Sequence, residues 1–227
     1  MQGPHPDTAS DSEVTGRKES TADPEGGGVT QQRPSSIELA SWLEARVERL
    51  ADLWIHELRA RDLGRDEAIS DVVERFARMI LGMMPVMIGP YREQILPLWD
   101  RSAELYGAIA GRRGLAAGEA IEELHVLRGL VIRELYRDPP EDCSGPLSLR
   151  EFLRLNRSLD RAVSHASVGH TDALFFQFFE GDGNGSAVLS GEDVAMEASA
   201  QLAEIRDEAR TIMEYAPWNV SARGPRN

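Results

Sequence analysis

Apolar residues recur at steps of three and four along most of the chain from about residue 36 to 216, a spacing that lines one side of a helix. The first such stripe is Leu39, Leu43, Val47, Leu50, Trp54 and Leu58, preceded by Ser35-Ser36-Ile37-Glu38 with the spacing of a capping box. It predicts one helix over 36–61, ended by Asp62-Leu63-Gly64, in which Arg49 and Asp52 on the solvated side are spaced to pair. A second helix over 65–84 aligns Ile69, Val72, Val73, Phe76, Ile80 and Met83, and Pro85 should kink or stop it. Gly89-Pro90 forces a break. The third helix, ending near 110, carries Ile95, Leu98, Trp99, Leu105, Tyr106 and Ile109, with its regular part starting about Pro97.

The fourth helix, over 116–137, puts Ile121, Leu124, His125, Arg128, Val131, Ile132 and Leu135 on one side and stops before Pro139-Pro140. Ser148-Leu149-Arg150-Glu151 is a second capping box, opening a long helix through Phe152, Leu155, Leu159, Val163 and Ala166 to the phenylalanines at 175, 176, 178 and 179. A bend is expected near Gly169. Beyond a Gly-Asp-Asn-Ser loop over 181–190, an acidic last helix over 191–216 carries Val194, Leu202, Ile205, Ala209 and Ile212. Runs of alternating β-branched residues do not occur, and no fixed-period repeat suggests a solenoid. The expectation is an all-α, compact bundle of about five core helices over 36–180 plus a C-terminal helix. Residues 1–35 and 217–227, poor in apolar residues, read as disordered tails.

Charge narrows the partners. A formal net charge of −13 opposes the clustered positive field that nucleic acid or an anionic membrane surface would require. Basic residues are almost wholly arginine, with Lys18 the one lysine, and they favour no patch. The N-terminal stretch lacks the apolar region of a secretory signal, and the most apolar run, 79–88, is far shorter than a spanning helix and contains Gly82 and Pro85. The single Cys143 permits no intrachain disulfide and suits a reducing compartment. A cytoplasmic location is expected.

Chemistry-bearing patterns are weak. His165 and His170 are five apart, which separates them by about 140° around a helix, a poor metal chelate. His5 lies in the tail, and His56 and His125 are isolated. His125, within the apolar stripe of the fourth helix, is read as a core-edge histidine bonded to a neighbour; the alternatives are a globin-like haem ligand or a phospho-accepting histidine. From Asp182, the residues Asp182, Asn184, Ser186, Val188, Ser190 and Asp193 fit positions 1, 3, 5, 7, 9 and 12 of an EF-hand loop. Ala187 replaces its turn glycine and Asp193 its bidentate glutamate, so a flexible linker is the preferred reading and calcium the alternative. Glu122-Glu123 reads as a solvated face, and Met79, Met83, Met84 and Met87 as adaptable core with a ligand pocket as the alternative. No P-loop lysine, G-x-S-x-G elbow or paired Glu-x-x-His motif is present, and Glu122-x-x-His125 stands alone. No catalytic, cofactor-binding or metal residue is assigned, and no cofactor is expected.

Two stretches carry a family resemblance: Glu122-Glu123-Leu124-His125-Val126-Leu127-Arg128 with 132–136, and Leu155-Asn156-Arg157-Ser158-Leu159-Asp160-Arg161-Ala162-Val163. Together they resemble the N-terminal domain of RsbRD-type (RsbT co-antagonist) proteins, an all-helical input module of stressosome proteins and of bacterial sensor histidine kinases. The resemblance covers about 38–180 and implies signal input, with no ligand residue defined by its motifs. No kinase, phosphorylatable or DNA-binding segment follows residue 180. The expected function is therefore a non-enzymatic sensory or regulatory module acting by protein–protein interaction, either as a homodimer or on a kinase or anti-sigma regulator, with the acidic last helix as the candidate recruiter. A ligand or cofactor carrier is the alternative.

Overall fold

Seven α-helices form among the residues that the computed structural model describes, 36–61, 67–140, 149–181 and 191–215, and no strand occurs among them. They are α1 (Ser36–Glu44), α2 (Val47–Ala60), α3 (Glu67–Ile88), α4 (Arg92–Arg112), α5 (Ala117–Arg137), α6 (Leu149–Gly181) and α7 (Gly191–Met213). The fold is all-α, as the periodicity predicts. The expected N-terminal tail, the loop over 182–190, the residues after 215, Cys143 and the capping serines Ser35 and Ser148 lie outside the described residues.

α3 and α4 are the centre. Around them α1, α2, α6 and α7 pack on α3, while α5, α6 and α7 pack on α4. The helical stripes meet in one core containing Trp54, Phe76, Trp99 and Tyr106, each with no exposed surface. Met83, Met84 and Met87 are fully buried there and Met79 packs against them, so the methionines fill core. α7 belongs to the same core: Val194, Ala198, Leu202, Ile205 and Ala209 are buried, and Arg101 and Arg112 of α4 pair with Glu208 and Glu197 on its flank. What α7 leaves to solvent is mostly polar, with Met196, 70 % exposed, as the large apolar exception. No described helix is long and apolar enough to cross a membrane.

Three helix limits differ from the sequence expectation, each through a contact distant in the chain. The first helix breaks at Ala45 and Arg46, where Trp42 donates to the backbone oxygen of Asp138 at 2.6 Å. Arg46 lies 4.7 Å over the Trp42 ring and pairs with the Asp138 carboxylate at 2.5 Å. That clasp ties the α1–α2 corner to the end of α5. Pro85 does not stop α3, which runs to Ile88 because Val86, Met87 and Ile88 are all held in the core; Gly89-Pro90 ends it, and Arg154 of α6 donates to the Ile88 carbonyl at 3.0 Å. α4 likewise starts at Arg92, more than a turn before Pro97, since Ile95 is already buried. The predicted Arg49–Asp52 pair is absent. Arg49 reaches Glu134 on α5 at 2.8 Å, and Asp52 takes Arg78 of α3 at 2.9 Å.

The α4–α6 contact is the most extensive in the molecule, and its register fixes where α6 points. Asp100 meets Arg161, Glu104 meets His165, Gly107 meets Ala166, and Gly111 meets Ala173, so the two helices run parallel. At the crossing the backbones touch. A β-carbon on Gly107 would stand 1.8 Å from the Ala166 carbonyl oxygen, and one on Gly169 would stand 1.9 Å from that of Glu104. Each glycine α-hydrogen thus faces a carbonyl oxygen of the other helix, the geometry of Cα–H···O contacts between close helices. α6 continues through Gly169 as one helix.

Candidate functional site

Two features combine chemistry and unusual placement: a charged cluster inside the core, and the far end of α6. The cluster is built on Glu123, whose side chain is 6 % exposed. Arg113, 9 % exposed and just past the end of α4, donates to both its carboxylate oxygens at 3.2 Å each, a bidentate geometry. The Tyr106 hydroxyl donates to the same carboxylate, and Trp54 Nε1 donates to the Glu123 backbone oxygen at 3.0 Å. Phe76 stacks on Tyr106 at 4.5 Å, and Trp54 meets both rings at 6.1 Å. Four helices and the α4–α5 turn therefore meet around Glu123, with Tyr106 and Arg113 on its carboxylate. Every strong partner of Glu123 lies inside the protein, so the cluster acts as a polar lock between α2, α3, α4 and α5.

Burial, and next the Glu123 charge, push the Tyr106 phenol ionisation well above the usual tyrosine range, with Arg113 opposing. The folded state thus holds this proton more tightly than the unfolded chain. Its contribution to stability is complete below about pH 10, where an unfolded tyrosine ionises, and is lost as the pH rises beyond that. We predict that the tyrosinate absorbance contributed by Tyr106, obtained by difference from Tyr106→Phe, emerges only together with alkaline unfolding. Ionisation of Tyr106 in the folded protein would contradict this.

The lock corrects the sequence reading of α5. The inward face is Ala120, Glu123, Leu124, Leu127, Leu130, Val131, Glu134 and Leu135, so Glu123 is buried and not solvated. His125 is exposed on the other side of Leu124, and the core-edge position expected for it is not where it lies. Glu122 is exposed and pairs with Arg61 at 3.0 Å. Steps of three and four fit the stripe from Ala120 to Glu134 as well as the one expected. The sign that could have chosen between them is Arg113, a cation ten residues before Glu123 at the adjoining helix end.

The histidines go separate ways. His56 is exposed. His165 sits on the α4–α6 seam with Nδ1 2.7 Å from Glu104 and Nε2 3.3 Å from Asp100, while Asp100 also accepts from Nε and Nη2 of Arg161 at 2.6 Å each. His170 is buried, and its Nε2 donates to the Leu115 carbonyl at 2.8 Å, pinning the α4–α5 turn onto α6. No group of three or more His, Cys, Asp or Glu among the described residues is placed to hold a metal ion. The loop beginning at Asp182 lies outside the described residues.

The far end of α6 is the second feature. α4 ends at Arg112, with Gly111 against Ala173, so residues 174–181 extend past it by about 12 Å at 1.5 Å per helical residue. On this overhang Phe175 and Phe176 are 57 % and 62 % exposed, and Leu174 38 %. The two rings meet edge to face at 6.2 Å. Large side chains exposed together at a helix end are costly in water and mark contact surfaces. The two segments that carry the family resemblance lie side by side nearer the root of this helix, where Arg128 of α5 pairs with Asp160 of α6. No protein-family model, curated protein or solved structure matches this chain.

Proposed function

We propose that the chain is a non-enzymatic sensory or regulatory module that acts by protein–protein association, and that the overhanging end of α6 is its contact surface. The observation carrying this reading is the exposed pair Phe175 and Phe176 on a helix clamped at its root by backbone-close packing. Such a helix moves as a unit with α4. A cue that shifts the α4–α6 pair would displace the aromatic end, and a partner seated there would sense it. The RsbRD-like segments on α5 and α6 support an input role, and the internal consumption of Glu123 by Arg113 and Tyr106 supports a structural use of the buried charge in preference to a catalytic one.

The test is the solution behaviour of the full chain and of Phe175→Glu/Phe176→Glu. Because both side chains are exposed, the double variant should fold with an unchanged melting temperature. If the contact is homotypic, a concentration-dependent dimer of the wild type becomes a monomer in the variant. If the chain is monomeric, a purified regulatory partner should bind the wild type and lose most of its affinity for the variant. A partner that binds both alike would overturn the assignment of α6, and robust turnover of a substrate would overturn the regulatory reading.

A further inference from the structure

A surface groove of about 350 Å³ lies between the α1–α2 corner, α3 and the end of α7. Val47, Pro85, Val86 and Met213 give it an apolar floor, and Gly82 keeps it open, since a β-carbon there would already touch the Met213 methyl at 3.6 Å. Its rim is acidic. Glu48 is engaged by Arg78 at 2.5 Å, whereas Glu44 makes no ion pair among the described residues. Partial burial raises the Glu44 pKa, so a cation placed beside it would be favoured.

We propose that this groove is the docking site for the chain's own residues 216–227, with Trp218 on the apolar floor and an arginine, Arg223 or Arg226, at Glu44. The first reason is tether length. Met213 lines the groove and α7 ends there, leaving Trp218 five residues on, a reach of at most about 17 Å when extended. The second is charge: in a chain of net charge −13, the segment 216–227 carries two arginines and no acidic residue. The third is chemistry, because an indole between Pro217 and a polar asparagine suits a shallow floor of valine, proline and methionine. Docked, the segment would strap the end of α7 across the α1–α2 corner.

The three other tryptophans, Trp42, Trp54 and Trp99, are 4 %, 0 % and 0 % exposed, so acrylamide quenching of the full chain, with Trp218→Phe subtracted, reports Trp218 almost alone. The expected result is a Trp218 signal quenched several-fold less than that of a peptide spanning 214–227. Quenching should rise to near the peptide level in Glu44→Arg, an exposed position where the charge reversal spares the fold, and in Gly82→Leu, which fills the floor. Circular dichroism confirms that each variant is folded. Peptide-like quenching in the wild type would overturn the proposal. So would a protected Trp218 whose quenching neither variant raises, which would place the segment elsewhere.

Discussion

Replacing Gly107 with alanine should cost at least about 3 kcal/mol of folding stability, because the methyl group has no space that side-chain motion could open. Its β-carbon would lie 1.8 Å from the Ala166 carbonyl oxygen and 2.8 Å from the His170 nitrogen, both backbone atoms. Relief therefore requires α4 and α6 to move apart. That movement uncouples Trp99 from the Ser158 carbonyl, now 3.1 Å apart, and loosens Arg161 on Asp100 along the same seam. Gly169→Ala, at 1.9 Å from the Glu104 carbonyl oxygen, should cost as much. The control is Gly129→Ala in α5, where nothing lies within 4 Å of the added carbon; alanine should there stabilise the helix by about 0.5–1 kcal/mol. Denaturant titration of the three variants checks the set, and a Gly107→Ala loss below about 1 kcal/mol would contradict the backbone contact.

The second large effect is expected at the polar lock. Arg113→Ala leaves the Glu123 carboxylate buried with only the Tyr106 hydroxyl for company, a situation that costs about 3–5 kcal/mol when one partner of a buried ion pair is removed. The triple variant Tyr106→Phe/Arg113→Met/Glu123→Leu removes all three polar groups together and should recover most of that loss, since well-packed apolar replacements of buried ion pairs are often neutral. Non-additivity is the signature. If Arg113→Ala were nearly neutral while the triple variant was severely destabilised, Glu123 would not be the group that Arg113 serves.

Much of the helical fold was legible because its signal is local. The stripes of α3, α6 and α7 run on buried residues such as Val72, Phe76, Leu155, Leu159, Leu202 and Ile205, and no tertiary contact overrides them. The α1–α2 break was not legible, since Arg46 finds its partner Asp138 92 residues away. In α5, Glu123 and His125 flank Leu124, and periodicity alone cannot say which of two neighbours tilts inward; the fold decides, through Arg113 and Tyr106. The close crossing did leave a mark in the sequence. Ala103, Gly107 and Gly111 are four apart on α4, and Ala162, Ala166, Gly169 and Ala173 fall at similar steps on α6. Glycine inside a helical pattern opposes helix propensity and signals close packing, a signal absent from a reading based on apolar stripes.

The end of α6 shows the same division. The aromatic run was visible in the sequence as a continuation of an apolar helix, but the exposure of Phe175 and Phe176 depends on α4 ending at Arg112, a matter of register between two helices. Only the parallel pairing of Gly111 with Ala173 turns that aromatic run into an overhang. The direct measurement is photocrosslinking in cells from position 176, with a benzoyl-phenylalanine replacing Phe176 in the full chain and exposed Arg133 on α5 as the comparison site. A module that associates through α6 gives a discrete protein adduct from position 176, a second copy of the chain included, that Phe175→Glu abolishes and position 133 does not reproduce. No adduct from 176, or the same adduct from 133, would contradict it.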